Sequence, residues 1–201
     1  MADPAAELNG PADLPALCGS TGPLRAGWIY TPIGGMVAVA DDHALHLLEF
    51  ARTQRLQAAF ARLGAVRDGA VREGAARLGP VAPGKTAVTL ALQDQLSAYF
   101  AGWRDRFDLP LVRPSATAFT ARVWDAVQSV PYGATATYGD LAQRIGALHA
   151  ARAVGRANGA NPFAILVPCH RITGSGGALT GYAGGLWRKE WLLAHEGRGL
   201  R

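Results

Sequence analysis

Apolar and polar positions first organise into short alternating runs. Trp28-Ile29-Tyr30 and Met36-Val37-Ala38-Val39-Ala40 flank Pro32-Ile33-Gly34-Gly35, which predicts a hairpin over 28–40. Asp41-Asp42 marks a second turn before the apolar run His46-Leu47-Leu48-Glu49-Phe50. Residues 52–78 carry Ala, Leu and Arg at helical spacing, broken by Gly64, Gly69 and Gly74. Residues 79–87 are expected to form a loop. An amphipathic helix follows over 91–104, with Leu92, Leu96, Tyr99, Phe100 and Trp103 as its apolar face. Pro110 and Pro114 bound an apolar linker, the expected domain boundary.

The second half is punctuated differently. Phe119, Val123, Trp124 and Val127 form one face of a helix over 117–130, which Pro131-Tyr132-Gly133 stops. Thr137 followed three residues on by Asp140 has the form of a capping box, so a short helix is expected over 138–145. Gly146 turns the chain into a second helix over 148–157 that carries Arg152 and Arg156. Two short helices about a glycine turn match a helix-turn-helix or an ordinary helical hairpin. Residues 1–24, rich in Ala, Pro, Asp and Gly, are expected to be a disordered tail.

Charge sharpens the division. Residues 1–110 carry 10 Lys/Arg against 11 Asp/Glu, whereas residues 111–201 carry 10 against 4, so the net +5 arises in the second half. Such asymmetry suits a polyanion partner for that half, although an Arg-rich composition alone gives the same sign. At 201 residues and 49% hydrophobic, the chain is long and apolar enough to bury a core. No apolar run reaches the ~18 residues of a membrane span, and Met1-Ala2-Asp3-Pro4 lacks a basic and apolar leader. A cytoplasmic protein without a membrane partner is expected. Cys18 and Cys169 are too few for a disulfide framework or a four-cysteine metal site.

One motif is discounted. Gly79-Pro80-Val81-Ala82-Pro83-Gly84-Lys85-Thr86 spells a phosphate loop. Such a loop works through backbone N–H groups, and Pro80 and Pro83 each remove one.

The chemistry concentrates in Asn161-Pro162-Phe163-Ala164-Ile165-Leu166-Val167-Pro168-Cys169-His170-Arg171-Ile172. Pro168 ends the apolar run and puts Cys169 on a turn. An adjacent imidazole and guanidinium favour a nucleophilic thiolate, although a free cysteine also serves as a packing residue. Downstream, 188–197 reads as an amphipathic helix with Gly197 at its end. Glu196 lies in its last turn, where the helix dipole disfavours an anion by ~0.3–1 kcal/mol. Either His170 is its partner or it is a solvated surface glutamate. The glycine-rich stretch 174–185 between them allows close backbone approach to a ligand, or is a linker.

These residues resemble the O6-alkylguanine-DNA alkyltransferases, the methylated-DNA–protein-cysteine methyltransferases. The resemblance is carried by Tyr138-Gly139-Asp140-Leu141-Ala142, Arg152-Ala153-Val154-Gly155, Ala157-Asn158-Gly159, Asn161-Pro162 and Val167-Pro168-Cys169-His170-Arg171. It continues through Gly181-Tyr182-Ala183-Gly184-Gly185 and Lys189-Glu190-Trp191-Leu192-Leu193-Ala194-His195-Glu196-Gly197. It is strong over 119–197, weaker over 31–50 and 96–111, and absent from the tail. It implies that Cys169 accepts an alkyl group from O6 of guanine, with O4 of thymine as a second candidate substrate. His170 would take the thiol proton and Glu196 would hold the imidazole. Asn161 would support the turn, and Tyr138 would hydrogen-bond the base and help protonate the departing guanine. Arg152 would enter the duplex. Ala157, Asn158 and Gly159, with Arg156, would face the minor groove, and Val167, Tyr182 and Ala183 would line the base pocket. Cys18, His43 and His46 do not make the closed zinc site that some relatives carry, so no metal or other cofactor is expected.

The resemblance further implies a monomer acting on double-stranded DNA that contains O6-alkylguanine, one turnover per molecule. A lesion-binding or regulatory helix-turn-helix protein and a cysteine hydrolase are the competing readings. The expected fold is an α/β N-terminal domain over 25–112 with a small antiparallel sheet. A mainly α, winged-helix-like C-terminal domain with a helix-turn-helix is expected over 113–201.

Overall fold

The computed structural model describes residues 8, 10–16, 18, 22–63, 81–113 and 116–200. Two compact units are present: Met1–Ala98 with Asp108–Ser115, and Tyr99–Phe107 with Ala116–Arg201. The division is not the single cut expected near residue 112, because 99–107 belongs with the C-terminal unit and 108–115 with the N-terminal one.

The first unit is built on a four-stranded mixed sheet of order β3-β2-β1-β4. Strand β1 (Leu24–Thr31) pairs antiparallel with β2 (Gly34–Ala40), which pairs antiparallel with β3 (Leu45–Phe50). The β1–β2 connection is the two residues Pro32 and Ile33. Thr31 Oγ1 donates to the Gly34 carbonyl at 2.5 Å, and Gly34 takes φ +107°, a conformation that favours glycine. Gly35 lies under the Trp28 indole, where any Cβ would collide with the ring. Asp41 closes the second turn by accepting the backbone N–H groups of His43 and Ala44 at 2.8 and 2.7 Å.

Two expectations change here. Residues 81–83, expected in a loop, form β4 (Val81–Pro83), parallel to β1, so the sheet is mixed rather than purely antiparallel. Pro83 is tolerated because it ends a short edge strand that needs no further donor. The expected disordered tail also does not hold for Pro11–Ala16, a short 3-10 helix that buries Leu14. Burying a leucine stabilises by about 1.5–3 kcal/mol and offsets part of the entropy lost in ordering the segment. Leu14 joins Trp28, Val37, Val39, Leu47 and Phe60 in one cluster on the sheet. Helix α1 (Thr53–Arg62) supplies Phe60; the rest of the helix expected over 52–78, from residue 64 on, lies outside the described residues.

Helix α2 runs Ala87–Phe100, displaced toward the N-terminus from the expected 91–104. Thr86 and Thr89 hydrogen-bond reciprocally at its start, at 2.8 and 3.2 Å. Gly102, at φ +78°, follows its end. Trp103 therefore lies beyond the helix and is exposed instead of facing a core.

The second unit is mainly helical. Helix α3 (Ala118–Gln128) is capped by Thr117 and buries Val123, Trp124 and Val127. Helix α4 (Tyr138–Arg144) begins at the expected capping box. The Thr137 side chain accepts from Asp140 N at 3.0 Å, and the Asp140 carboxylate accepts from Thr137 N at 2.8 Å. Gly146 and His149, at φ +64° and +71°, turn the chain into α5 (Ala151–Gly159), which starts three residues later than expected. Trp124 Nε1 donates to the Ala157 carbonyl at 2.9 Å and ties α3 to α5. Strands β5 (Ala136–Thr137) and β6 (Ile172–Thr173) make a two-residue parallel pair, and α6 (Leu186–Glu196) closes the unit.

Candidate active site

The segment 161–173 is buried throughout, and its turn is shaped by one side chain. Asn161 Oδ1 accepts from Phe163 N at 2.9 Å. Its Nδ2 donates to the carbonyls of Phe163 and Val167 at 3.2 and 2.8 Å and reaches Cys169 Sγ at 3.1 Å. Inside this turn Ile165 adopts φ +72°, a strained conformation for a β-branched residue. Such strain persists only where the surroundings over-determine the backbone, and the Asn161 bonds do so here. Cys169 begins a 3-10 turn, Cys169–Arg171, and its sulfur-bearing side chain is largely enclosed, with the residue 8% exposed.

His170 and Arg171 leave this turn toward α6. His170 Nε2 lies 2.9 Å from Glu196 Oε1. Arg171 grips the same carboxylate with Nε at 2.8 Å from Oε2 and Nη2 at 3.0 Å from Oε1, while Nη1 donates to the Val130 carbonyl at 2.7 Å. Tyr99 Oη donates to Oε1 at 2.7 Å, and Gly133 N to Oε2 at 3.3 Å. Burial alone would raise the Glu196 pKa, but His170 and Arg171 hold it well below the usual carboxylate range. Glu196 is thus a buried, fully engaged anion, not a solvated surface residue.

Two opposing influences act on the imidazole. Burial pushes the His170 pKa below its ordinary value against the opposing pull of Glu196. A neutral ring beside an ionised carboxylate places its proton on Nε2, leaving the Nδ1 lone pair available. Nδ1 is buried and has no hydrogen-bond partner among the described residues.

The guanidinium expected to favour the thiolate is directed elsewhere: Arg171 is spent on Glu196 and Val130. Lys189 is a cation coupled electrostatically to Cys169. Its ammonium is fully enclosed and donates to the carbonyls of Ile172 and Thr180 at 2.5 and 2.8 Å. Burial lowers its pKa, and Cys169 acts in the opposite sense. Sequence reasoning missed Lys189 as a functional residue. The available signal was positional: Lys189 shares the buried stripe of α6 with Leu192 and Glu196, where apolar residues are the rule. In the sequence Tyr99 reads only as an apolar helix position, and no local signal ties it to Glu196, 97 residues away.

The remaining predicted residues fall into three settings. Tyr138 is half-buried, with its ring along Gly155 of α5. Arg152, Arg156 and Gly159 are exposed on α5, but Ala157 and Asn158 are buried at 6% and 4% exposure. The Ala157 carbonyl accepts from Trp124 Nε1, and Asn158 Nδ2 points to the Cys169 carbonyl at 3.4 Å. Val167 is buried, while Tyr182 and Ala183 are half-buried, and the Tyr182 ring stands edge-on to His170 at 6.5 Å. A cavity of about 490 Å³ touches the same turn through Leu166, Pro168 and Arg171 and includes Phe107 and Tyr132. Val167, Tyr182 and Ala183 are not among its walls, so it is not the expected base pocket. Among the described residues no three His, Cys, Asp or Glu side chains converge as metal ligands, and no helix is long and apolar enough to cross a membrane.

Fold and site together define a helix-turn-helix protein presenting one thiol beside an imidazole–carboxylate pair. Residues 118–198 match the family model described as 6-O-methylguanine DNA methyltransferase, DNA binding domain. The methylated-DNA–protein-cysteine methyltransferase of Mycolicibacterium paratuberculosis is 58% identical over 106 residues, covering 52% of this chain and 63% of that protein. The protein of the same description from Salmonella typhimurium is 53% identical over 106 residues, covering 53% and 62%. The matched stretch thus spans less than two thirds of the length of these curated relatives. The crystal structure of Mycobacterium tuberculosis O6-methylguanine methyltransferase superposes with a TM-score of 0.70 at 36% identity, covering 89% of this chain and 95% of that one. A structure of the Mycobacterium tuberculosis protein in complex with DNA gives a TM-score of 0.68 at 38% identity, covering 87% and 93%. The chain belongs to the methylated-DNA–protein-cysteine methyltransferase family.

Proposed function

We propose that this protein repairs DNA by transferring an alkyl group from O6 of guanine irreversibly to Cys169. The observation that carries this reading is the constellation around the sulfur. Cys169 Sγ lies 3.1 Å from Asn161 Nδ2, and the next residue is a buried histidine whose Nε2 lies 2.9 Å from Glu196 Oε1. The thiol proton passes to His170 Nδ1, through a water because adjacent side chains point apart. The sulfur then attacks the alkyl carbon in line: the S–C bond forms as the C–O6 bond breaks. The electron pair stays on the guanine, and Tyr138 donates the hydrogen bond that helps it leave protonated. The nucleophile, its base and the leaving-group donor are all side chains, so the step draws on no cofactor. A thioether is not hydrolysed by water, so each molecule reacts once.

Duplex DNA as the partner is supported by the matched DNA-binding domain, by the DNA complex of the Mycobacterium tuberculosis relative and by the basic second half of the chain. O6 of a paired guanine is inside the stack, so the nucleotide must be turned out before reaction. Arg152, exposed on α5, fills the gap it leaves, with Arg156 and Gly159 on the same helix facing the minor groove. Val167, Tyr182 and Ala183 border the space for the extruded base. One chain supplies every reacting group, so a monomer suffices for the reaction.

The test is intact mass spectrometry after incubation with duplex DNA containing O6-methylguanine. One methyl group is gained, maps to Cys169 and is absent in Cys169→Ala. An unchanged mass with folded wild-type protein overturns the transfer reading and leaves lesion binding alone.

A further inference from the structure

Glu196 Oε1 accepts three described donors at once: Tyr99 Oη at 2.7 Å, His170 Nε2 at 2.9 Å and Arg171 Nη2 at 3.0 Å. We propose that Tyr99 is a positioning residue of the alkyl-acceptor site, which shares Oε1 with His170 and thereby limits the negative charge that the imidazole meets. The proposal rests on Cys169 being the alkyl acceptor with His170 as its base.

The reasoning is electrostatic. A carboxylate oxygen that accepts a phenol hydrogen bond has less charge left for its next donor. A weaker acceptor supports the imidazolium less, so His170 remains a neutral base to lower pH. Tyr99 suits this task. Its ring is fully buried and packed edge-on by Phe100, Tyr132 and His195, and its carbonyl accepts from His195 Nε2 at 2.9 Å. Burial and the neighbouring Glu196 charge raise its own pKa well above the ordinary value, so it remains a donor throughout the physiological range.

The other groups facing the pair are Arg171 and Lys189, whose charges oppose the imidazolium, and Tyr182, whose ring abuts His170. Tyr132 also lies within electrostatic reach of Glu196, and Asp105 within reach of Tyr132. Among the described residues the Tyr132 hydroxyl makes no hydrogen bond, so it is the natural control: the same atom is removed nearby without taking a donor from Glu196.

The experiment uses the full chain with Tyr99→Phe and Tyr132→Phe. The His170 imidazole is titrated by NMR, and alkyl transfer to Cys169 from the free base O6-benzylguanine is timed against pH. In Tyr99→Phe the His170 midpoint rises by about half a unit. The acid limb of the rate moves with it, a loss of about threefold on that limb by the usual conversion, while the high-pH plateau is kept. Tyr132→Phe moves neither. Should Tyr99→Phe fail to fold, site-specific 3-fluorotyrosine at position 99, a stronger donor, lowers the midpoint instead. A wild-type midpoint in the folded Tyr99 variant, or an equal shift in Tyr132→Phe, overturns the proposal. If the wild-type protein accepts no alkyl group, the parent reading fails, whereas the His170 titration still decides the role of Tyr99.

Discussion

Asn161 Nδ2 lies 3.1 Å from Cys169 Sγ, and the same amide nitrogen donates to the Val167 carbonyl two residues before that cysteine. One side chain therefore shapes the turn and contacts the sulfur that the turn presents. Removing it couples a stability loss to a reactivity loss.

Asn161→Ala leaves the carbonyls of Phe163 and Val167 without this donor inside a fully buried segment. The expected cost is about 2–3 kcal/mol, read from the denaturant midpoint. Alkylation of Cys169 by iodoacetamide changes as well, because the turn no longer holds the sulfur. A variant with wild-type stability would show that the turn is held by other means.

Acid should destabilise the protein through Glu196 and His170 together. The folded pKa of Glu196 is depressed, so its contribution is complete above the unfolded value near 4.3 and is lost as pH falls toward the folded one. The folded pKa of His170 is also depressed, so below about pH 6.5 the unfolded chain binds the extra proton and stability falls. Unfolding free energy measured between pH 7 and 3 should therefore decline continuously. Glu196→Gln removes the anion facing Arg171 and costs about 3–5 kcal/mol at pH 7. Its stability profile below pH 5 should be flatter than that of the wild type.

Lys189→Met keeps the aliphatic stem but removes the buried charge coupled to Cys169. The sulfur loses a cation electrostatically coupled to it, and iodoacetamide alkylation at pH 7 should slow. The carbonyls of Ile172 and Thr180 lose a donor, at about 1–3 kcal/mol. An unchanged alkylation rate would assign Lys189 to structure alone.

Arg152→Ala alters an exposed side chain, so stability should stay within about 0.5 kcal/mol of the wild type. Transfer from O6-methylguanine in duplex DNA should fall more than transfer from free O6-benzylguanine, because only the duplex requires base extrusion. Equal losses on both would argue against a role in opening the duplex. For the wild type, duplex affinity should weaken with added salt, as phosphate contacts release counterions.

Features that rest on neighbours along the chain are legible in the sequence. The turn at Pro32 and Ile33, the Thr137–Asp140 capping box and the helix ending at Glu196 all depend on residues within a few positions of one another. The strand Val81–Pro83 is not legible there, because its three residues owe their conformation to β1, more than fifty positions earlier. The inward side of α5 is hidden for a similar reason. Asn158 looks like a surface residue by type, and its hydrogen bond to the Cys169 carbonyl is made only in the folded chain.

By itself the amino-acid sequence determined the local elements and singled out Cys169, His170 and Glu196, because capping, turn chemistry and a distinctive Pro-Cys-His-Arg run act over short spans. The tertiary structure decided which charges meet. Arg171 turns to Glu196, Lys189 is electrostatically coupled to Cys169, and Tyr99 shares an oxygen with His170. Electrostatic and hydrogen-bond energies depend on distances of a few ångströms, and only the folded chain sets those for residues nearly a hundred positions apart.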